Sequence, residues 1–229
     1  MLTAVIHQPD FMPYLGFFHR LLNADLYIIL DTVQFLIRGW HRRDKIKTQN
    51  GEKWITVSTR KCPVDTNIKD VLLDPDDKWR QKHLRLFKQN YQKAPFFNEI
   101  FPYVQELYEY KCEKMMEFNM HSINIVSLLF DISINKILAS TLNIISGRNN
   151  ELNVAILKEA GANIYLSGIG AREYYDPAPY KTAGIKVIWQ NFKHPVYPQQ
   201  FGEFIPYLSS VDLLFNCGIE ESRKILRTC

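Results

Sequence analysis

The opening of this chain, about thirty residues long, constrains its fold more than any other stretch. Residues 2 to 7 run through Leu2, Ala4, Val5 and Ile6, a nearly continuous apolar segment of the kind that forms a strand buried on both faces. Gln8 to Met12 follows as a loop containing Pro9. Pro13 suits the first turn of a helix, where its missing N–H leaves no bond unmade. That helix is predicted to run to about Ala24, with Leu15, Phe18, Leu21 and Leu22 on its apolar face. Leu26 to Leu30 is a second buried strand, ending at Asp31. A strand, a helix and a strand in this order form the unit of a parallel sheet, because a crossover brings the chain back in its starting direction. The fold class that follows is α/β with a parallel-sheet core.

The middle of the chain departs from that rhythm. Arg43 to Thr48 and Lys53 to Thr59 flank Asn50-Gly51, a strong hairpin signal, so a basic β-hairpin region is expected there. Residues 77–131 read as helical. Trp79, Leu84, Phe87 and Tyr91 share one face, with Asp74 or Asp76 as a candidate cap, and Ala94-Pro95 breaks the run. Ile100, Val104, Leu107 and Tyr108 belong to a second helix, and Met116 to Phe130 forms a third. This block is expected to be an inserted helical subdomain. The last third returns to α/β: a strand over Ile134 to Ala139, a helix over Asn149 to Ala160 ending at Gly161, and strands over Asn163 to Leu166 and Ile185 to Gln190. Two short helices, Leu208 to Phe215 and Glu220 to Leu226, close the chain. The whole is predicted to be a single domain over 1–229. Within it, an N-terminal β-α-β unit with the basic hairpin spans 1–75, the helical insert spans 76–132, and a C-terminal α/β region spans 133–229.

Composition supports a packed globule, since 46% of 229 residues are hydrophobic and 23% are charged. The N-terminus lacks a basic lead and does not read as a signal peptide. The most apolar stretch, Ile123 to Ile134, is interrupted by Asn124, Ser127 and Asp131, so no membrane insertion is expected. Four cysteines, Cys62, Cys112, Cys217 and Cys229, have neither zinc spacing nor the density of a disulfide scaffold. Reduced thiols and a cytoplasmic location are the expectation, with no metal site. The net charge of +4 is uneven: Arg38 to Lys61 holds eight basic and two acidic residues, while the remainder sums to −2. An anionic partner is expected at that segment. Nucleic acid is disfavoured, because no RNA- or DNA-binding motif accompanies the modest charge.

Several residues stand out as site candidates. His7-Gln8-Pro9-Asp10 follows a strand, and the C-terminal ends of parallel strands face the crevice where α/β proteins bind ligands. His7 can exchange protons near neutral pH, and Gln8 can donate and accept. A backbone-bonded histidine beside a turn is the plain alternative. Asp31 ends the next strand and could orient His7 or bind a hydroxyl; equally, it could close a turn. Arg38, Arg43, Lys45 and Lys47 form a basic ribbon suited to a diphosphate, or else a solvated hairpin face. Ser167-Gly168-Ile169-Gly170 is a glycine-rich turn whose backbone a ligand can approach, although its spacing is neither a P-loop nor a dinucleotide fingerprint. His194-Pro195-Val196-Tyr197-Pro198 must be extended, and could wall a site with His194 and Tyr197 or simply connect elements.

The ordered set of these segments resembles the WbqC-like protein family. Ile6 to Phe18 is similar to the family's opening, and Asp31-Thr32-Val33-Gln34-Phe35 to its aspartate–valine–glutamine element. Arg43 to Lys47, Trp54 to Val57, Tyr165 to Gly168, Tyr175-Asp176, His194 to Gln199 and Asp212 to Gly218 resemble later blocks, so the likeness covers nearly the whole chain. Two departures occur: Arg42-Arg43-Asp44-Lys45 stands where the family commonly has an Asn-Arg-Asn-Arg run, and Ser58 stands in place of a proline. The resemblance implies a bacterial protein of an O-antigen or other surface-polysaccharide pathway, working on an activated sugar or its amino-acyl decoration.

Three functions fit these readings. The first is a transferase that puts an acyl or aminoacyl group on a nucleotide-linked amino sugar. His7 would be the base, Asp31 its orienting partner, and Arg38, Arg43, Lys45 and Lys47 the diphosphate clamp. Gln8, Asp10, Gln34, Ser167, Gly168, His194 and Tyr197 would contact substrate. No bound cofactor is predicted, but an acyl or aminoacyl carrier, including a carrier protein, could supply the donor. The second is an adenylating or nucleotidylyl-transferring enzyme using ATP, although Phe17 stands where that layout has a second histidine. The third is a non-catalytic binding protein of the same pathway, for which His7→Ala would be harmless.

Overall fold

The computed structural model describes residues 1–144 and 148–229. Five parallel strands form the central sheet: β1 (Thr3–His7), β2 (Leu26–Ile29), β5 (Asn135–Leu138), β6 (Ile164–Ser167) and β7 (Lys186–Trp189), in the spatial order β5-β2-β1-β6-β7. The helix α1 (Leu15–Leu22) joins β1 to β2, which pair in parallel from Ala4↔Leu26 to His7↔Ile29. The opening strand–helix–strand unit is therefore as expected.

The sheet is covered on both faces, which is why its strands read as unbroken apolar runs. Along β2, Tyr27 and Ile29 join the larger core with Phe17, Phe18 and Leu21 of α1, while Leu26 and Ile28 join a second core. That second core is completed by Ile156 and Leu157 of α5 (Asn149–Glu159) and Tyr180 of α6 (Pro177–Thr182). Each fully buried Leu, Ile or Phe contributes about 1.5–3 kcal/mol.

The antiparallel pair β3 (Arg43–Thr48) and β4 (Gly51–Thr56) is a separate two-stranded sheet. The hairpin turns one residue earlier than Asn50-Gly51 suggests: Thr48 pairs with Gly51, so Gln49 and Asn50 make the turn. The helical block comprises α2 (Lys78–Tyr91), α3 (Phe97–Glu109) and α4 (Met115–Leu129). The cap of α2 is Asp77 by position, with no side-chain bond, and Asp76 instead accepts from the Lys78 N–H at 3.1 Å.

These helices pack on α7 (Val211–Arg227), which Gly218 divides into two helical segments, as expected. Gly218 has φ +72° and ψ 175°, outside the helical region, and a Cβ there would meet the Phe96 ring at 2.5 Å, so the chain kinks between the two helical segments there. On the N-terminal half of α7, Phe215 stacks on Tyr91 at 4.6 Å and on Phe97 at 5.9 Å. No described helix is long and apolar enough to cross a membrane.

Candidate functional site

From β1 the sheet grows in one direction through β2 and in the other through β6. Such a switch in winding leaves a crevice beyond the strand ends, the usual ligand position in open α/β sheets. A cavity of about 640 Å³ opens at this point. His7, at the end of β1, and Asp10, in the loop after it, form one side. Ser167, at the end of β6, and Gly168 to Ala171 after it form the other, and Gln190, after β7, extends it. Arg20 of α1 and Asp44 of β3 also line it, with Tyr14, Trp40, Phe192 and Tyr207 as an aromatic wall.

The loop that carries His7 and Asp10 is braced. The Asp10 N–H donates to the Gln8 carbonyl at 2.9 Å, and Tyr27 Oη donates to the same carbonyl at 3.2 Å. Asn119 of α4 donates from Nδ2 to the carbonyls of Pro9 and His41. Across the cavity, the Gln190 N–H donates to the Ser167 carbonyl at 2.8 Å, and Gln190 Nε2 to that of Gly16 at 2.7 Å.

Burial sets the protonation of these groups. His7 is pushed down to about 3 by desolvation, with the Arg20 charge adding to the effect. It is neutral at pH 7. Its Nδ1 lies 2.9 Å from the Gln8 carbonyl, which can only accept, so Nδ1 carries the proton and Nε2 keeps its lone pair. Asp10 is lifted to about 7 by burial, against the opposing pull of Arg20, and its Oδ2 lies 3.6 Å from His7 Nδ1. Burial also raises Asp44 well above the carboxylate range, and the charge of Asp10 adds to that. Arg20 is only 6% exposed, and its Nε has no hydrogen-bond partner among the described residues. The cavity thus combines a neutral imidazole, two carboxyl groups driven toward their protonated forms, and a buried guanidinium. Such a set can move protons and hold an anion.

Of the residues singled out by sequence, His7, Asp10, Ser167 and Gly168 line this cavity. The others lie elsewhere. Asp31 sits on the expected sheet edge, but both its oxygens are engaged by Ser140: Oδ1 accepts from the backbone N–H at 2.9 Å and Oδ2 from Oγ at 2.6 Å. It ties the end of β2 to the turn after β5, and the Gln8 carbonyl fixes the His7 tautomer in its place. Gln8 is taken by His41, whose Nδ1 lies 3.0 Å from its Oε1. Gln34 donates to the Val64 carbonyl at 2.7 Å, on a different face.

The basic ribbon does not line the cavity either. Arg38 is exposed; its carbonyl accepts from Arg43 Nε at 3.2 Å. Arg43 lies over the Trp54 ring at 4.1 Å, and Lys45 pairs with Glu52 at 2.8 Å. Trp54 packs on Trp40 at 5.3 Å, and Trp40 lines the cavity, as does Asp44 of the same strand, but none of the four basic side chains does. Lys47 is buried and donates from Nζ to Gln199 Oε1 at 3.0 Å and to the Glu203 carbonyl. Tyr197 is buried with its hydroxyl on Asp212 Oδ2 at 3.0 Å. His194 acts as a brace: Nδ1 is 2.8 Å from the Pro195 carbonyl, and Nε2 accepts from the N–H of Tyr207, which does face the cavity.

Arg20, Asp44, Trp40 and Gln190 line the cavity without having stood out in the sequence. Two carried a signal. Arg20 interrupts the buried side of an apolar helix, three residues after Phe17. Asp44 alternates with Ile46, which places it on the inward face of a basic strand.

Residues 8–224 match the WbqC-like protein family. The chain belongs to this family. It is also similar to the uncharacterized protein Rv1507c of Mycobacterium tuberculosis, with 31% identity over 232 residues, covering 100% of this chain and 99% of that protein. No solved structure matches it. The WbqC-like region takes in every residue that lines the cavity except Ile6 and His7.

Proposed function

We propose that this WbqC-like protein is a transferase that acylates or aminoacylates the amine of a nucleotide-activated amino sugar in surface-polysaccharide biosynthesis. The observation that carries the reading is the pairing of Asp10, lifted to about 7, with a neutral His7 in one cavity. A sugar amine arrives as an ammonium ion and must lose a proton before it can attack. Ionised Asp10 attracts such a cation, protonated Asp44 can accept a hydrogen bond from it at its carbonyl oxygen, and a base that titrates near the working pH transfers protons best. The aromatic wall offers faces for the sugar ring.

In this scheme Asp10 replaces His7 as the first base. Its carboxylate takes one proton from the ammonium. The freed lone pair attacks the carbonyl carbon of an ester or thioester donor, forming the C–N bond. The carbon–oxygen or carbon–sulfur bond then breaks. The leaving alcohol or thiol departs with the bonding pair and takes up the second amine proton, which His7 Nε2 can relay.

The test is to incubate the protein with nucleotide-linked amino sugars and acyl or aminoacyl thioesters, and to follow the mass of the sugar product. Transfer should rise with pH through about 7 as Asp10 ionises. Asp10→Asn should slow it by roughly 10²- to 10⁴-fold. Full activity in both Asp10→Asn and His7→Ala, or pyrophosphate release from ATP without a carrier-bound donor, would overturn the proposal.

A further inference from the structure

Arg20 has no evident structural reason to be where it is. It belongs to a helix whose other buried side chains are Leu15, Phe17, Phe18 and Leu21. A guanidinium stays charged in a protein and presents five N–H donors, and burying one without a partner is strongly unfavourable. Arg20 is nonetheless 6% exposed, with Nε closed off from solvent and unbonded among the described residues. Asp10 and Asp44 line the same cavity, yet neither forms an ion pair with it.

The opposite wall is shaped around this side chain. A Cβ on Gly168 would lie 2.9 Å from Arg20 Nη1, so glycine leaves the room in which the guanidinium lies against the turn. A Cβ on Gly170, by contrast, would meet nothing within 4 Å, so the same turn is open beside it. A planar donor fork held in a partly dry cavity matches an oxyanion, which it can bind through two parallel hydrogen bonds.

We infer that Arg20, seated against Gly168, is the receptor for an oxyanion of the ligand, either a phosphate or a carboxylate. Resting on the transferase reading, this names the group that anchors the substrate: the phosphate of the activated sugar or the carboxylate of the acceptor or donor. The anion site lies in the same cavity as Asp10 and Asp44, so an anchored ligand is held beside the groups that exchange its protons.

The experiment is calorimetric titration of the full chain with inorganic phosphate, uridine diphosphate and acetate, without any acyl donor. Saturable binding of at least one is expected. Selectivity for the first two assigns the site to phosphate, and selectivity for acetate to carboxylate. Arg20→Gln should weaken binding by about 10- to 100-fold. Gly168→Ala should weaken it as well, by displacing a charge that is still present. In the absence of ligand, Arg20→Met should melt at or above the wild-type temperature, because it removes an unpartnered buried charge. The inference is overturned if wild type binds none of the three anions, if Arg20→Gln binds them as tightly as wild type, or if Arg20→Met melts well below wild type. Transfer without Arg20-dependent binding would refute the anion site alone, and Arg20-dependent binding without transfer would refute the transferase alone.

Discussion

Two regions of this molecule bury charge, and they do so in opposite ways. Around Asp212, at the start of α7, every group is answered. Its Oδ1 accepts from Tyr91 Oη at 2.8 Å and its Oδ2 from Tyr197 Oη at 3.0 Å. The Lys47 N–H in turn donates to Tyr91 Oη at 3.0 Å, while Lys47 Nζ is held by Gln199 and Glu203. Around Arg20 the bonds are left open: its Nε has no partner among the described residues and His7 keeps a free Nε2, while burial raises Asp10 and Asp44 as it also raises Asp212, without the two tyrosine hydroxyls that answer Asp212. Burial alone therefore does not mark a binding site. A satisfied network fastens a fold, here the hairpin to α2 and α7. An unsatisfied one is destabilising unless something else completes it, and a ligand is the natural candidate.

Asp212→Ala leaves two buried tyrosine hydroxyls without their acceptor and should cost about 2–5 kcal/mol in urea unfolding. A loss under about 1 kcal/mol would mean that the network does not hold the fold together.

Asp10→Asn should act in the other direction. The folded carboxyl titrates at about 7 and the unfolded one near 3.8, so the native state holds the extra proton between those values. Wild type therefore loses stability as pH climbs from about 4 to 7, and the loss is complete above 7. The Asn variant escapes this, and should gain about 2–4 kcal/mol over wild type at pH 8 but little at pH 4.5. His7 has the opposite slope, because its depressed value makes stability rise with pH up to about 6.5, but both proteins share it. An equal difference at the two pH values would remove Asp10 from the strained group.

Lys45→Ala should show the smallest effect. Its pairing with Glu52 is partly exposed and should be worth less than about 1 kcal/mol. Affinity for uridine diphosphate should not change. A tenfold loss in titration would return the diphosphate to the hairpin and blur the contrast between the two regions.

The sheet was legible in the sequence because a doubly covered strand has to be apolar at every position, as Leu26 to Ile29 are. The break between the two segments of α7 was legible as well, but the Phe96 ring that fills the space beside Gly218 was not. For the site, strand-end position located His7 and Ser167 at the crevice but could not tell where a strand-end side chain turns. Asp31 shares the edge and still points to Ser140. Lys47 looked like surface charge because the basic run hid its burial. Arg20 and Asp44 escaped notice for the reverse reason: each is a charged residue at a position whose spacing assigns it to the interior, where a pattern of apolar residues gives no hint of polar function.

Asn119 sets a final constraint. From the second turn of α4 its amide reaches the backbone of Pro9 and His41, next to Asp10 and Trp40 of the cavity lining. The helical block is thus not an ornament that recombination could exchange freely between relatives. Any descendant that remodels α4 inherits the task of recreating that one amide, or of rebuilding the loop that bears Asp10.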